Sequence, residues 1–143
     1  MNQEVIEYIK TQRAGVLAVE MMDGSPHGAT IHFAHTENPL MFLFETNREY
    51  RKCEALFGRK TTRATFVIGA DEGNLKTLQM DGEVRLMTDI ENEELFRGLY
   101  LEKFPKKKAK AEGPDTVAFL FIPKWWRFTD WTKPEGKLIL TSD

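Results

Sequence analysis

The sequence predicts a mainly β protein, an antiparallel β-barrel with a few short helices. Many short stretches are apolar or alternate between apolar and polar residues, and turn signals rich in Gly, Pro, Asp and Asn separate them at short intervals. Such strands could form a barrel or a sandwich, and we expect a barrel because closure leaves no exposed sheet edges. The 143 residues are the right length for a single domain spanning 1–143.

The predicted elements alternate strands with short helices. Helices are predicted over 2–11, 47–57 and 89–103, and strands over 16–22, 27–35, 40–46, 61–68, 76–87, 116–122 and 125–131, with a short strand or a tail at the C-terminus.

In the first half of the chain, each element has its own local signal. The first helix has apolar residues at helical spacing and ends before Gly15. The Asp-Gly-Ser-Pro turn at 23–26 predicts that the first two strands form a hairpin. The third strand, LMFLFET, is apolar enough to be central. Thr46 or Asn47 can cap the second helix, because the side-chain oxygen accepts a backbone N–H.

In the second half, the fifth strand alternates most clearly. Its apolar residues from Leu78 to Leu86 occupy one face, and polar residues occupy the other. The third helix ends at Pro105, and the Lys-rich stretch that follows predicts a mobile, solvated loop over 106–114. Pro123 is expected to separate the sixth strand from the aromatic seventh strand.

Composition excludes several functions. Lys and Arg total 20 against 22 for Asp and Glu, and this balance gives no basic excess for nucleic-acid binding. The single cysteine, Cys53, excludes an intramolecular disulfide and a multi-thiolate zinc site, and we expect it to be buried and inert. The three histidines are badly spaced along their strand for a shared metal. Without a membrane-length apolar stretch or a signal peptide, we expect a cytoplasmic protein with no membrane contact.

The most informative stretch is the junction between the third strand and the second helix. Arg48, Arg51 and Lys52 would share one helical face, close to the hydroxyl of Thr46. Cations and hydroxyls at the start of a helix can bind a phosphate group. The alternative is a solvated face whose cations pair with neighbouring glutamates, and the residues alone favour that alternative.

Four segments, in order, resemble the pyridoxamine-5′-phosphate oxidase-like family of FMN-binding split barrels, in its small general-stress-protein-like branch. They are GVLAVEMMDGSPHGATIHFAH, FLFETNREYRKCEAL, LQMDGEVRLM and FIPKWWRFTDW, and the similarity runs from about Val5 to Trp131. The resemblance implies an antiparallel, Greek-key-like split β-barrel that forms a homodimer with FMN in the subunit interface.

The resemblance also implies a set of cofactor-binding residues. The FMN phosphate would contact Thr46, Arg51 and Lys52, and the flavin ring would lie against the second strand, mainly against backbone groups. Two further contacts would come from the second subunit. The nine residues are Thr30, Ile31, His32, Phe33, Thr46, Arg51, Lys52, Gln79 and Trp126.

The expected function is therefore FMN binding, with flavin-dependent oxidoreduction of an unknown small substrate. Pyridoxamine-phosphate oxidation itself is not expected, because the C-terminal WWRFTDWTKPEG lacks the Arg-Leu pair with which the true oxidase binds its substrate. No residue is assigned a catalytic role. The alternatives are a non-catalytic flavin-binding or sensing module, a barrel that binds a deazaflavin or haem (with His32 or His35 as axial ligand), and a dimeric barrel without a cofactor.

Overall fold

The computed structural model describes residues 1–69, 71–87 and 90–143. The helices are α1 (Gln3–Thr11), α2 (Cys53–Gly58), α3 (Ile90–Lys103) and α4 (Lys108–Ala111), with 3₁₀ turns at Glu72–Asn74 and Pro105–Lys107. The strands are β1 (Ala14–Glu20), β2 (Pro26–His32), β3 (Ala34–Glu37), β4 (Leu40–Asn47), β5 (Thr62–Ile68), β6 (Lys76–Leu86), β7 (Thr116–Asp130) and β8 (Leu138–Thr141).

All eight strands form one antiparallel sheet that curls on itself. The strand order is β2-β1-β5-β6-β7-β4-β3, and β8 adds to β7. The two ends of this order, β2 and β3, are consecutive in the chain and are separated only by Phe33. The sheet must therefore bend until its two edges meet at this residue, which confirms the predicted antiparallel split barrel.

The barrel interior is filled mainly by aromatic rings. Phe33 contacts Phe42 and Phe66 edge to face, with ring centroids 5.4 Å and 5.5 Å apart. These rings belong to a cluster that also contains the apolar face of α1 and the inward side chains of β1, β5, β6 and β7. A second, smaller cluster lies between α3 and the outer side of β3, β4 and β7. Helix α3 therefore covers one part of the barrel wall.

Two strand predictions were wrong. The predicted strand 27–35 is divided at Phe33, because the chain leaves the β1 edge there and begins to pair with β4. The predicted sixth and seventh strands are one strand, β7, which continues through Pro123. A bulge absorbs the proline: Pro123 pairs with Gly82 and Trp125 with Asp81, which leaves the residue between them without a register partner.

The second helix is shorter than predicted. It begins at Cys53 rather than at Asn47, and residues 48–52 form turns. Asn47 caps this turn segment, since its Oδ1 accepts a hydrogen bond from the Glu49 N–H at 2.9 Å. The short side-chain acceptor at Asn47 competes with helical hydrogen bonding, and it delays the helix by several residues.

The other boundaries differ less. The predicted loop 106–114 contains a 3₁₀ turn and α4, so the prediction of a loop was wrong for these residues, although Lys106 and Lys108 are exposed to solvent. The C-terminal LIL segment forms β8. The predicted start of the third helix at Asp89 and the start of the predicted turn 70–74 lie outside the described residues. In the ranges that the structure describes, the helices are all too short or too polar to span a bilayer.

We expect Gly82→Ala to destabilise the protein strongly. A Cβ at position 82 would lie 2.1 Å from the Ile122 carbonyl oxygen, so the backbones of β6 and β7 would have to separate at the bulge. The expected loss in the free energy of unfolding is about 2–3 kcal/mol, measured by urea denaturation.

Gly98→Ala is the matched control. Gly98 lies in α3, and its added Cβ would meet nothing within 4 Å. Alanine should there raise the free energy of unfolding by about 0.5–1 kcal/mol, because it lowers the entropy of the unfolded chain. Equal effects of the two substitutions would contradict the close approach at Gly82.

Candidate functional site: a charged cavity beside the barrel corner

A cavity of 220 Å³ lies where the ends of β2 and β4 approach α3 and the segment that follows it. It is lined by Thr30, Ile31, His32, Glu45, Thr46, Asn47, Tyr50, Lys52, Tyr100, Lys107, Ala111 and Thr116. Two physical features bring these residues together. At Phe33 the chain passes from β2 to β3, and this bend, the Phe33 corner, places the end of β2 near β4. The pairing of β4 with β7 aligns Asn47 with Thr116.

Strand β4 contributes side chains first to the hydrophobic core and then, a few residues later, to the cavity wall. Phe42 and Phe44 point into the aromatic core and are fully buried, and Thr46 continues that face into the cavity. Leu43 and Glu45 lie on the opposite face, under α3, because side chains alternate along a strand. The strand thus contributes a hydroxyl from one face and a carboxylate from the other.

Lys52 is a buried cation at the cavity wall. Only 6% of the residue is exposed, and its Nζ lies 4.9 Å from the centroid of the Tyr50 ring. Among the described residues, it has no carboxylate within ion-pair distance and no hydrogen-bond partner. Burial lowers the pKa of Lys52 from its usual value. A buried ammonium group beside an open volume is suited to an anionic ligand, which would supply the missing countercharge.

Glu45 is a buried carboxylate in the same wall. Its side chain is 4% exposed, and its Oε1 lies 3.2 Å from Arg97 Nη1. That contact lacks hydrogen-bond geometry, so Oε1 has no hydrogen bond within the part of the chain that the structure describes. Burial raises the pKa of Glu45 to about 7, although Arg97 acts in the opposite direction. The site therefore contains a carboxyl group that changes charge near neutral pH.

Three further lining residues, His32, Lys107 and Tyr100, are connected by hydrogen bonds. Lys107 Nζ lies 2.8 Å from His32 Nδ1 and donates a longer hydrogen bond of 3.4 Å to the Tyr100 hydroxyl. Burial, with the charge of Lys107, lowers the pKa of His32. The imidazole is therefore neutral at pH 7, with Nδ1 accepting from Lys107. Burial also raises the pKa of Tyr100 to about 12, so its hydroxyl stays protonated.

The cavity brings together five of the nine residues predicted to bind a cofactor. They are Thr30, Ile31, His32, Thr46 and Lys52. Phe33 does not reach the cavity, because its side chain is fully buried in the aromatic core. Arg51 is exposed and is not part of the cavity wall, since the turn before α2 directs Lys52 rather than Arg51 inward.

The two residues predicted to come from a second subunit lie on different sides of the sheet. Gln79 is exposed on the outer face, in register with Val67 and Arg127. Trp126 packs against the main core, and the neighbouring Trp125 is the one that shares the outer face with Gln79. Neither predicted residue contributes to the cavity of its own chain.

Several residues of the wall were not predicted from the sequence. The sequence predicts glutamates near the cations, including Glu45, only as their pairing partners, and it predicts Lys107 only as part of a Lys-rich loop. It predicts no role for Tyr100. A signal was present for Glu45, because it interrupts an otherwise apolar strand just before the expected phosphate-binding residue. No local signal distinguishes Lys107 from its lysine neighbours.

Within the described ranges, no three His, Cys, Asp or Glu residues are close enough to hold an ion together. Cys53 is 1% exposed, its thiol donates to the Asn47 carbonyl at 3.4 Å, and burial raises its pKa. A protonated, buried thiol is a poor ligand and a poor nucleophile.

The family model described as pyridoxamine 5′-phosphate oxidase matches residues 1–130. None of the curated proteins matches the chain. Similarities to solved structures are extensive in fold but low in sequence, so they bear on the fold alone.

Three of these structures illustrate the range. A protein of Clostridium acetobutylicum related to general stress protein 26 (pyridoxinephosphate oxidase family) has a TM-score of 0.65 and 18% identity, over 98% of this chain and 93% of that one. A Listeria innocua protein, provisionally named pyridoxamine 5′-phosphate oxidase, has a TM-score of 0.68 and 20% identity over 87% and 94%. A heme-binding protein of Mycobacterium smegmatis has a TM-score of 0.71 and 12% identity over 93% of this chain, which spans 54% of that protein.

Glu45→Gln should flatten the pH dependence of stability. The folded-state pKa of about 7 lies above the ordinary value of 4.5, so the folded state retains a proton that the unfolded state has lost. The stabilisation by this group is complete below pH 4.5 and is lost as the pH rises to about 7. Between pH 5 and pH 8 the wild type should lose on the order of 2 kcal/mol more unfolding free energy than the variant.

The measurement is urea denaturation at several pH values. Glu93→Gln is the control, because Glu93 also pairs with Arg97 (3.0 Å) but does not line the cavity. The control should keep the wild-type pH dependence. A wild-type slope retained in Glu45→Gln would show that another group causes it.

Proposed function

The chain belongs to the pyridoxamine 5′-phosphate oxidase family, and on this premise we propose that it binds FMN and acts as a flavin-dependent oxidoreductase on a small substrate. Members of this family typically bind a flavin. The observation that carries the proposal is Lys52, a buried cation that lies at the wall of a cavity and has no countercharge within the described part of the chain. The phosphate of FMN has about −1.5 to −2 charges at neutral pH and would supply that countercharge.

The residues of the cavity suit the phosphate end of FMN. In this proposal, Lys52 and the Thr46 hydroxyl hold the phosphate, at the place where β4 leaves the core. Arg51 is close in sequence and exposed, so its long side chain can add a contact from the rim.

Strand β2 offers a surface for the flavin ring. It is one end of the strand order, so its far edge has no β-partner among the described strands. Backbone donors and acceptors at such an edge can bond to the polar atoms of a ring. Thr30, Ile31 and His32 lie on this strand and border the cavity. We propose that the ring lies along them, and that Phe33 supports this segment from the core.

The size of the cavity supports a homodimer. Pockets that enclose a ligand of drug size usually have about 300–1,000 Å³, and 220 Å³ in one chain is smaller. Family members are often dimeric, and a second copy would complete the site. Gln79, Trp125 and Arg127 share an outer sheet face that a second copy could contact. We propose Gln79 as a partner contribution and retain Trp126 as a lesser candidate, since its ring packs inward.

FMN would supply the hydride and electron transfer, and the protein would bind and orient the cofactor and the substrate. No cavity residue is assigned as a catalytic acid or base. The same site would serve a non-catalytic flavin-binding or sensing module, which would bind FMN without turnover with any donor. A deazaflavin would need the same phosphate contact.

Haem is the second candidate. It is favoured by the heme-binding protein of similar fold and by His32 at the cavity wall. The His32 Nδ1 is occupied by Lys107, so iron could bind only at Nε2. His35 is a weaker candidate, because it does not line the cavity.

Lys52→Met should weaken FMN binding by about 10- to 100-fold, because a charged hydrogen bond to the phosphate contributes roughly 1.5–3 kcal/mol. The matched control is Lys60→Met, which removes the same charge from an exposed position outside the cavity. The dissociation constant can be measured by flavin fluorescence, and the retained flavin by visible absorption after desalting.

The same spectra separate the candidates. Flavin bands that depend on Lys52 support the proposal, and equal FMN affinity in the two lysine variants contradicts the phosphate assignment. A Soret band that disappears in His32→Ala, with no retained flavin, would establish haem instead.

A further inference from the structure

Glu45 Oε1 is buried without a hydrogen-bond partner among the described residues, and neither the fold nor phosphate binding explains this. Buried polar atoms in native proteins are nearly always hydrogen-bonded, so an exception calls for a physical reason. Glu45 Oε1 is one of two buried side-chain atoms without a hydrogen-bond partner in the described part of the chain. The other, Arg127 Nε, belongs to a residue that does not line the cavity.

The fold does not need a carboxylate at position 45. Arg97 already pairs with Glu93 and donates to the Ala111 carbonyl, so it keeps two partners without Glu45. Leu43 lies on the same face of β4 and packs into the apolar cluster under α3. An apolar residue at position 45 would extend that cluster and would avoid the desolvation that now raises the pKa of Glu45.

Two unsatisfied groups thus belong to residues that line one small cavity. Among the described residues, Lys52 has no carboxylate partner and Glu45 Oε1 has no hydrogen-bond donor. Both side chains extend from one stretch of chain, β4 and the turn that follows it. A ligand of this cavity that satisfies both needs an anionic group and a hydroxyl or N–H donor in one small molecule.

We propose that Glu45 is a specificity-determining residue that accepts a hydrogen bond from a ligand hydroxyl, so that the cavity selects a polyol phosphate. The phosphate pairs with Lys52, and a hydroxyl of the adjoining polyol chain donates to Glu45 Oε1, which a rotation of the carboxylate group brings to the cavity. This inference rests on the proposed function, because it assumes the anion at Lys52. The chemistry is shared by the ribityl phosphate of FMN and by a free sugar-alcohol phosphate. Inorganic phosphate and a haem carboxylate lack the hydroxyl-bearing chain.

The test compares two small probes, ribitol 5-phosphate and inorganic phosphate, by calorimetric titration of the full chain at pH 8, above the Glu45 pKa of about 7. The wild type should bind ribitol 5-phosphate at least about 10-fold more tightly, as expected for one hydrogen bond to a charged acceptor. Glu45→Leu should bring the two affinities to within about two-fold of each other. Because this substitution also removes a negative charge near the anion, the ratio of affinities is the readout.

Two further variants separate recognition from structure. Glu45→Gln keeps an oxygen acceptor and should retain part of the preference for ribitol 5-phosphate. Glu93→Gln changes the ion pairing of Arg97 outside the cavity and should keep the full preference. Circular dichroism establishes that each variant is folded.

The outcomes distinguish this inference from the proposed function. Phosphate binding that requires Lys52, with no preference for ribitol 5-phosphate or a preference unchanged in Glu45→Leu, overturns the role of Glu45 alone. Binding of neither probe, with FMN affinity unaffected by Lys52→Met, overturns both. FMN affinity far above that of ribitol 5-phosphate, with the same dependence on Glu45, identifies the flavin as the source of the polyol phosphate. Similar affinities for the two identify a free sugar-alcohol phosphate.

Discussion

The passage of the chain through Phe33 is the constraint on which the rest of the structure depends. One residue joins the two edge strands of an eight-stranded sheet. These edges can lie that close together only if the sheet curls into a barrel. The Phe33 ring stabilises this corner through edge-to-face contacts with Phe42 and Phe66. Lys103 reinforces it from α3, because its Nζ lies 3.9 Å from the Phe33 ring centroid and donates to the Gln12 carbonyl at 2.7 Å.

The same corner creates the site. It brings the end of β2 beside the end of β4, and it leaves a gap that α3 and the following turns cover only in part. Charged groups are concentrated in this gap, where Lys52 and Glu45 are both largely withdrawn from water. Burying charge costs stability, whereas the aromatic core a few residues away contributes it. Strand β4 serves both purposes, since Phe42 and Phe44 belong to the core and the next two residues to the cavity.

Much of the fold was accessible from the sequence, and less of the site. Turn residues and the periodicity of apolar residues identified most of the helices and strands. They failed at Phe33 and Pro123, where a strand changes partner or absorbs a bulge, because pairing partners distant in sequence decide both events. The family resemblance, rather than the residues alone, predicted an anion site in the short segment 46–52. It could not show that Lys52 faces the cavity while Arg51 stays exposed, because that depends on the turn before α2.

The sequence by itself determined the class of fold, the family resemblance and the stretch of chain that contains the candidate site. Those properties follow from the local hydrophobic periodicity, the turn residues and the order of the motifs, which depend only on the order of residues in the sequence. Only the tertiary structure decided that Glu45, Tyr100 and Lys107 share a cavity with Lys52 and His32. These residues lie on elements far apart in sequence, and burial and countercharge exist only once the barrel has closed. The physical reason is that desolvation is a property of the packed environment rather than of the residue.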